Sequence, residues 1–258
     1  MSRSGSLHQR RPHPGLAVFA TLFLILVQPA QAYTNPKSAT TASGEALKIN
    51  GSVVVIEPDI ELTLVTAGGL REPRKEWSET ARRLFPQAAR QVLQGRGGSP
   101  KPDYDVPDGL DPASRQGQII RLNQAVAMSI AQYSQPGSAL ATKKDPLTGK
   151  PRMDWSLGAG VSELREATGA DYALFTYIRD SYSSGGRTAL RAFAMLAGAA
   201  MGSYVDIGGG AQIGVATLVD LRTGQVVWFN LMANQSGDLR DEKGTRATAN
   251  QMLRGLPL

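Results

Sequence analysis

The chain has 258 residues, no cysteine, two histidines and a formal net charge of +6. This length is sufficient for one well-filled domain, and the lack of cysteine excludes disulfides, thiol nucleophiles and thiolate metal sites. The modest charge, with no stripe of Lys and Arg interleaved with aromatic residues, excludes a typical nucleic-acid-binding surface.

The first 32 residues have the three parts of a cleavable export signal. Three arginines precede an apolar stretch at residues 15–27, and the small residues Ala30 and Ala32 have the spacing that signal peptidase requires. The apolar stretch is shorter than the roughly 20 residues that span a bilayer. We therefore expect cleavage after Ala32, a mature amino terminus at Tyr33 and a periplasmic or secreted protein. Retention of the segment as a membrane anchor is the alternative.

Cleavage would remove both histidines, His8 and His13, together with three of the basic residues. The remaining 226 residues carry 25 basic and 22 acidic side chains, a net charge of +3. A chain without histidine or cysteine has no Ser-His-Asp triad and no His/Cys metal site. We accordingly predict no cofactor, no catalytic residue and no metal site.

The beginning of the mature chain is polar, and the first apolar runs follow it. Residues 33–50 are small and polar, which predicts a flexible leader, and residues 51–258 form the predicted domain. The β-branched run at 52–56 predicts a buried strand, and the alternation at 60–66 predicts a half-buried one.

Two helices and two long loops come next. Apolar residues recur with a period of 3.6 over residues 77–93, which predicts a helix that Pro86 kinks or divides. A second helix is predicted at 119–133. The loops at 95–114 and 135–155 are unusually long for a compact domain.

The second half of the chain is more regular. A short helix from Val161 is predicted to end at Gly169, before a near-continuous apolar strand at residues 170–180 that we expect at the centre of a sheet. The remaining predicted elements are a turn at 181–186, an insertion at 188–214, hairpin strands at 213–221 and 225–231, and a closing helix at 239–253. This order predicts an α/β (α+β) sandwich, with helices packed on a small mixed sheet and a C-terminal β-hairpin followed by a helix.

Two stretches of this half carry a family resemblance. Residues 168–175 read TGADYALF, and residues 216–228 read ATLVDLRTGQVVW. Over residues 161–253 the chain resembles periplasmic α/β envelope domains of the TolB amino-terminal and curli-secretion-channel-like type, and related envelope lipoproteins. The resemblance implies a non-enzymatic envelope protein that works by contacts, and it supplies no catalytic residue. The chain departs from the lipoprotein members because it lacks their lipidated cysteine and carries the insertion at 188–214.

The insertion supplies the candidate interaction surface. Its first half is rich in Ala, Met and Gly, a composition that favours a buried core helix and also suits an adaptable partner surface. The candidate residues are Ala192, Met195, Leu196, Met201 and Tyr204. The expected partner is another envelope protein or a second copy of the chain, with peripheral membrane contact and no nucleic acid.

Two other functions remain open at this point. Paired carboxylates could hydrolyse an envelope polymer, although no pair is singled out by spacing, which favours turn or cap residues; the candidates are Asp171, Asp180, Asp206 and Asp220. The chain could also be a structural subunit of a ring. An acidic cluster loosely suggests calcium, but Pro107 occupies a ligand position of the EF-hand template, which favours a solvated loop; the cluster contains Asp103, Asp105, Asp108 and Asp111.

Overall fold

The computed structural model describes residues 33–40, 47–107, 109–134, 140–201, 210–233 and 236–258. Within these ranges, nine strands form one mixed sheet and five α-helices pack around it. The strands are β1 (Tyr33–Thr34), β2 (Lys37–Ser38), β3 (Ser52–Val55), β4 (Asp59–Val65), β5 (Arg71–Pro73), β6 (Ser99–Pro100), β7 (Tyr172–Ser183), β8 (Gln212–Asp220) and β9 (Val226–Ala233). The helices are α1 (Lys75–Gly95), α2 (Arg115–Tyr133), α3 (Ser162–Thr168), α4 (Gly185–Ala200) and α5 (Glu242–Met252). The predicted fold class is confirmed.

Strand β7 is the centre of the sheet, as its apolar run predicts. It pairs antiparallel with β8 along its length, and on its other side it pairs parallel with β3 and then with β4. The sheet order is β1-β9-β8-β7-β3-β6, with β2 beside β9 and β5 beside β4. The predicted turn at 181–186 is wrong: β7 continues to Ser183, because its last three residues pair with β4, and α4 begins at Gly185.

The hairpin of β8 and β9 is confirmed. Gly224 in the turn has a φ of +75°, in the left-handed region. A Cβ atom there would lie 2.2 Å from the carbonyl oxygen of Gly158, so both conformation and space require glycine.

Helices α1 and α5 cover one face of the sheet. Alternate residues of β3 and β7 (Val53, Val55, Tyr172 and Leu174 among them) and the fully buried Trp228 of β9 pack against these helices. Helix α1 runs without interruption from Lys75 to Gly95, so Pro86 does not start a second helix, which was one of the two predicted alternatives. Phe85, directly before the proline, and Ala88 and Ala89 after it are buried in this core, and their burial offsets the roughly 3 kcal/mol that an internal proline costs.

Helices α2 and α3 lie on the opposite face. Ala173 and Phe175 of β7 are buried there with Ile119 and Ile130 of α2 and Leu164 of α3. Ser114 caps α2, because its hydroxyl accepts a hydrogen bond from the Gly117 amide at 3.1 Å. Helix α3 ends at Gly169 in the left-handed conformation, as predicted.

The segment predicted as a flexible leader contains β1 and β2, both paired antiparallel with β9. The Ala39 amide donates to the Val227 carbonyl at 2.9 Å, and Ala39 is buried. The polar composition of this segment does not predict strands, because the hydrogen bonds that stabilise β1 and β2 come from the distant strand β9. The loop predicted at 95–114 contains β6, and Tyr104 continues its parallel pairing with a bridge to Ile56. Of the loop at 135–155, residues 135–139 lie outside the described ranges.

Candidate interaction surface

The base of the insertion is closed by paired backbone. The Ser181 amide donates to the Ala211 carbonyl at 3.0 Å, and the Ala211 amide donates to the Ser181 hydroxyl oxygen at 2.9 Å. A Cβ atom on Gly210 would lie 2.0 Å from the Ser181 carbonyl oxygen, so the chain can pass this point only as glycine. The two ends of the segment that joins β7 to β8 are therefore held together by the sheet itself.

A buried polar cluster lies one residue further into the sheet, where Asp180 of β7 pairs with Gln212 of β8. The Gln212 side-chain amide donates to Asp180 Oδ2 at 2.7 Å and to the Gly237 carbonyl at 3.2 Å. Its oxygen accepts from both the amide and the hydroxyl of Ser236, at 3.0 and 2.8 Å. The fully buried Gln212 thus satisfies both donor hydrogens and both lone pairs, and it ties β8 to the segment before α5.

Burial raises the pKa of Asp180 to about 6, because the 2 % exposed carboxyl loses the hydration that stabilises its charge. Hydrogen bonds from Tyr182, Gln212 and the Ser181 amide oppose this increase, while the charge of Asp238 adds to it. Burial also raises the pKa of Tyr182, and the Asp180 charge adds to that effect. The carboxyl at the base of the insertion therefore changes charge at mildly acidic pH.

An arginine covers the outer side of this cluster. The Arg240 guanidinium lies 4.1 Å from the centre of the Tyr182 ring and 4.7 Å from that of Trp77. It also pairs with Asp238 at 2.6 Å, which lowers the pKa of that carboxyl. The cluster is thus packed beneath a stacked cation, and it anchors the sheet end from which α4 leaves.

The first turn of α4 is fixed to the fold. The Ser184 amide donates to the Val65 carbonyl at 2.9 Å, and its hydroxyl accepts from the Arg187 amide at 3.2 Å, which caps the helix. A Cβ atom on Gly186 would lie 3.3 Å from the Ala67 side chain, so the helix starts close to the β4–β5 turn.

Beyond this turn, the large apolar side chains of α4 that the structure describes are exposed. Phe193 is 68 % exposed and Met201, directly after the helix, is 78 % exposed, and Leu190 and Met195 are exposed as well. Every residue from Ala192 to Met201 is apolar or glycine, so no polar face is available for solvent. An exposed helix that is apolar on all sides is typical of a surface that another molecule covers.

The predicted surface residues are only partly described. Ala192, Met195 and Met201 are exposed at α4 and its end. The side chain of Leu196 and the whole of Tyr204 lie outside the described residues. The prediction omitted Phe193, although its position three residues after Leu190 on an apolar helix was available in the sequence.

The predicted carboxylates do not form a described pair near the insertion. Asp171 directly precedes β7 and Asp180 lies near the other end of that strand, about 30 Å away at 3.3 Å per residue, well beyond the separation that glycoside hydrolysis uses. Asp171 accepts hydrogen bonds from the amide and hydroxyl of Ser52, and Asp220 pairs with Arg222. Asp206 lies outside the described residues.

The acidic loop has other contacts. Asp103 pairs with Arg90, Asp111 accepts from the Ala113 amide at 2.8 Å, Asp105 is exposed and Asp108 is not described. Among the described residues, no group of three or more acidic side chains is placed to hold a metal ion. Within the same ranges, no helix has the length and apolar character that crossing a membrane requires.

No protein-family model and no curated protein matches the chain. Among solved structures it is similar to the PelC dodecamer from Paraburkholderia phytofirmans, with 13% identity and a TM-score of 0.38 over 88% of this chain and 96% of that one. A variant PelC dodecamer from the same organism has 13% identity and a TM-score of 0.38 over 86% of this chain and 96% of that one. Lipoprotein GNA1162 from Neisseria meningitidis has 16% identity and a TM-score of 0.29 over 71% of this chain and 81% of that one. TM-scores this low do not establish a shared fold, so the proposals below depend on the residues of this chain.

Proposed function

We propose that this protein is exported to the cell envelope and acts there by binding, without catalysis, through the exposed surface of α4. The observation that carries the proposal is the exposure of Phe193, Met195 and Met201 on a segment with no polar face. Exposing apolar area of this kind to water costs free energy, and that free energy is recovered when a partner covers the area. The export-signal pattern of residues 1–32 supports an envelope location.

The firm base of α4 supports the same function. Ser181 and Ala211 join the two ends of the insertion, and Ser184 begins the helix against the end of β4. A binding segment on a rigid base loses less conformational freedom on association than one on a flexible loop. The sheet therefore serves as the scaffold and α4 as the contact.

Site-specific crosslinking in the cell tests the binding role. A photoreactive amino acid at position 193 should form a covalent adduct with whatever covers α4. The matched control is position 147, where leucine is 94 % exposed in a loop remote in sequence from α4. We expect adducts from position 193 and none from position 147. Equal yields at the two positions, or no adduct from either, would contradict the proposal.

Excision of the helix tests whether α4 belongs to the folding core. Replacing residues 185–209 with a short Gly/Ser linker retains Gly210 and the Ser181–Ala211 hydrogen bonds that close the sheet end. We expect a folded protein with an unchanged cooperative urea transition that no longer associates. A shortened protein that does not fold would show instead that α4 is part of the core.

The location is tested by the mass of the exported protein. Cleavage after Ala32 gives a mature chain that begins at Tyr33, which an intact-mass measurement resolves directly. A chain that retains residues 15–27 would indicate a membrane-anchored form.

A further inference from the structure

The sheet face that carries α2 and α3 is covered along only part of its length. Phe175 and Val215 are buried on this face, but the next outward residues, Tyr177 on β7 and Ile213 on β8, are partly or largely exposed, with Ile213 50 % exposed. Leu231 and Ala233 lie beside them on β9. We call Tyr177, Arg179, Ile213, Leu231 and Ala233 the open half-sheet.

The open half-sheet is mainly apolar and extends to the edge of the sheet. Ala233 pairs with both Ile213 and Tyr33, and the side chain of Tyr33 is exposed. At its inner border, an apolar cleft of about 50 Å³ separates it from α2, lined by Ile120, Ala127, Met128, Phe175, Tyr177 and Val215 among others. This surface combines exposed apolar area with a small cavity, as binding surfaces do.

The charge beside this surface is negative. Arg179 stacks on the Tyr177 ring at 3.9 Å and pairs with Asp59 at 2.9 Å and with Glu61 at 4.0 Å. One guanidinium thus faces two half-exposed carboxylates, which leaves one net negative charge. Helix α4 has no acidic residue, so it would bring no like charge to this surface.

The dimensions of the two surfaces also agree. Sixteen residues of α4 extend about 24 Å, with a helix diameter of roughly 10 Å. Across β4, β7, β8 and β9 the open half-sheet is about 15 Å wide, and along β7 it extends from Tyr177 to Arg179, about 7 Å. One helix therefore covers most of the open half-sheet.

We propose that α4 of one copy of this protein packs on the open half-sheet of the next copy. This rests on the proposed function, in which α4 is a binding surface, and it identifies the partner as a second copy of the chain. The two contacting surfaces differ, so the interface is head-to-tail. Each added copy leaves one helix and one half-sheet available, and the assembly grows until it closes as a ring or continues as a filament.

The proposal predicts complementation between two defective variants of the full chain. Phe193→Glu places a charge on the helix and Ile213→Glu places one on the half-sheet. Each substitution should raise the dissociation constant of self-association at least about 30-fold, the size of an interface hot spot, and leave a monomer. An equimolar mixture should form a heterodimer and nothing larger, because a single intact interface remains.

Light scattering coupled to gel filtration measures these masses, with wild type and Leu147→Glu as assembling controls. Ile213→Thr keeps the β-branched shape and should weaken assembly with less risk to folding. Assembly of Ile213→Glu like wild type would overturn the proposal and indicate pairing between two α4 helices. A mixture that stays monomeric, although both variants melt as wild type does, would overturn it as well.

A third result separates this proposal from the proposed function. If the wild type is monomeric at all concentrations while position 193 crosslinks to a different molecule in the cell, self-association is wrong and the binding role of α4 stands. If position 193 crosslinks to nothing, the binding role itself is wrong.

Discussion

Helices α1 and α4 both follow strands, and they differ in where their apolar residues lie. Helix α1 carries six charged residues among 21, yet nine of its residues are buried against the sheet. Helix α4 carries two charged residues among 16 and leaves Leu190, Phe193 and Met195 exposed. The helix with the more apolar composition is the less buried one.

The comparison shows that apolar content alone does not decide whether a helix packs on its own sheet. In α1, Ala81, Phe85, Ala88 and Val92 recur at helical spacing, while the opposite face carries arginines that water solvates. In α4 no polar face follows Arg191, so one sheet could cover only part of the apolar surface. The remainder needs a cover from outside the chain.

The test with the largest expected effect is a pair of matched phenylalanine truncations, one in each helix. Phe85→Ala in α1 should lower the free energy of unfolding by roughly 3–5 kcal/mol, because a fully buried side chain is removed from the core. Phe193→Ala in α4 should change it by less than about 0.5 kcal/mol and weaken association instead. Urea denaturation of dilute protein measures both. Similar losses for the two variants would show that α4 belongs to the core.

A second test concerns Asp180, which lies where the core meets the insertion. Burial raises its folded pKa to about 6 from the usual 3.8 of an aspartate, so the folded protein binds the proton more tightly than the unfolded chain does. The contribution of Asp180 to stability is therefore fully present below pH 4 and is lost as the pH rises to about 6, by roughly 3 kcal/mol. Asp180→Asn keeps an acceptor for Gln212 and carries no charge.

The measurement is urea denaturation of both proteins from pH 4 to pH 7. Relative to wild type, Asp180→Asn should gain about 2.4 kcal/mol over this range. Asp171 and Asp238 have lowered pKa values and weaken both proteins as the pH falls, so only the difference between the two reports Asp180. A constant difference across the range would mean that Asp180 does not titrate there.

Much of the sheet could be predicted from the sequence because its strands carry their own patterns. The apolar run of β7 and the alternation of β4 indicate burial locally, and a turn glycine separates β8 from β9. Strands β1 and β2 have two residues each and no periodicity, and they exist because the edge of β9 offers unpaired hydrogen-bonding groups. The sequence of the leader alone does not indicate that this edge of β9 is available for pairing.

The candidate surface was located in part for a similar reason. The apolar composition of the insertion indicates that it is unusual, but composition does not distinguish a buried helix from an exposed one. The environment of Asp180 depends on Gln212, which is 32 residues away, and on the segment before α5. Local patterns therefore give Asp180 the appearance of an ordinary turn residue.

The smallest test compares the caps of two helices. Ser114 caps α2, which packs on the core, and Ser184 caps α4. Removing either cap should cost about 1 kcal/mol of helix stability. Ser114→Ala should lower the free energy of global unfolding by that amount, because α2 unfolds together with the core. Ser184→Ala should leave global unfolding unchanged, because the body of α4 contributes few buried contacts.

The local cost of Ser184→Ala should appear in hydrogen exchange of the α4 amides, which should become about five-fold faster. The measurement is best made in the Phe193→Glu background, where a neighbouring copy does not cover the helix. If Ser184→Ala lowers the free energy of global unfolding as much as Ser114→Ala does, α4 unfolds together with the core. The contrast between α1 and α4 would then be one of exposure alone, and the helix would not be the independent contact element that binding through its surface requires.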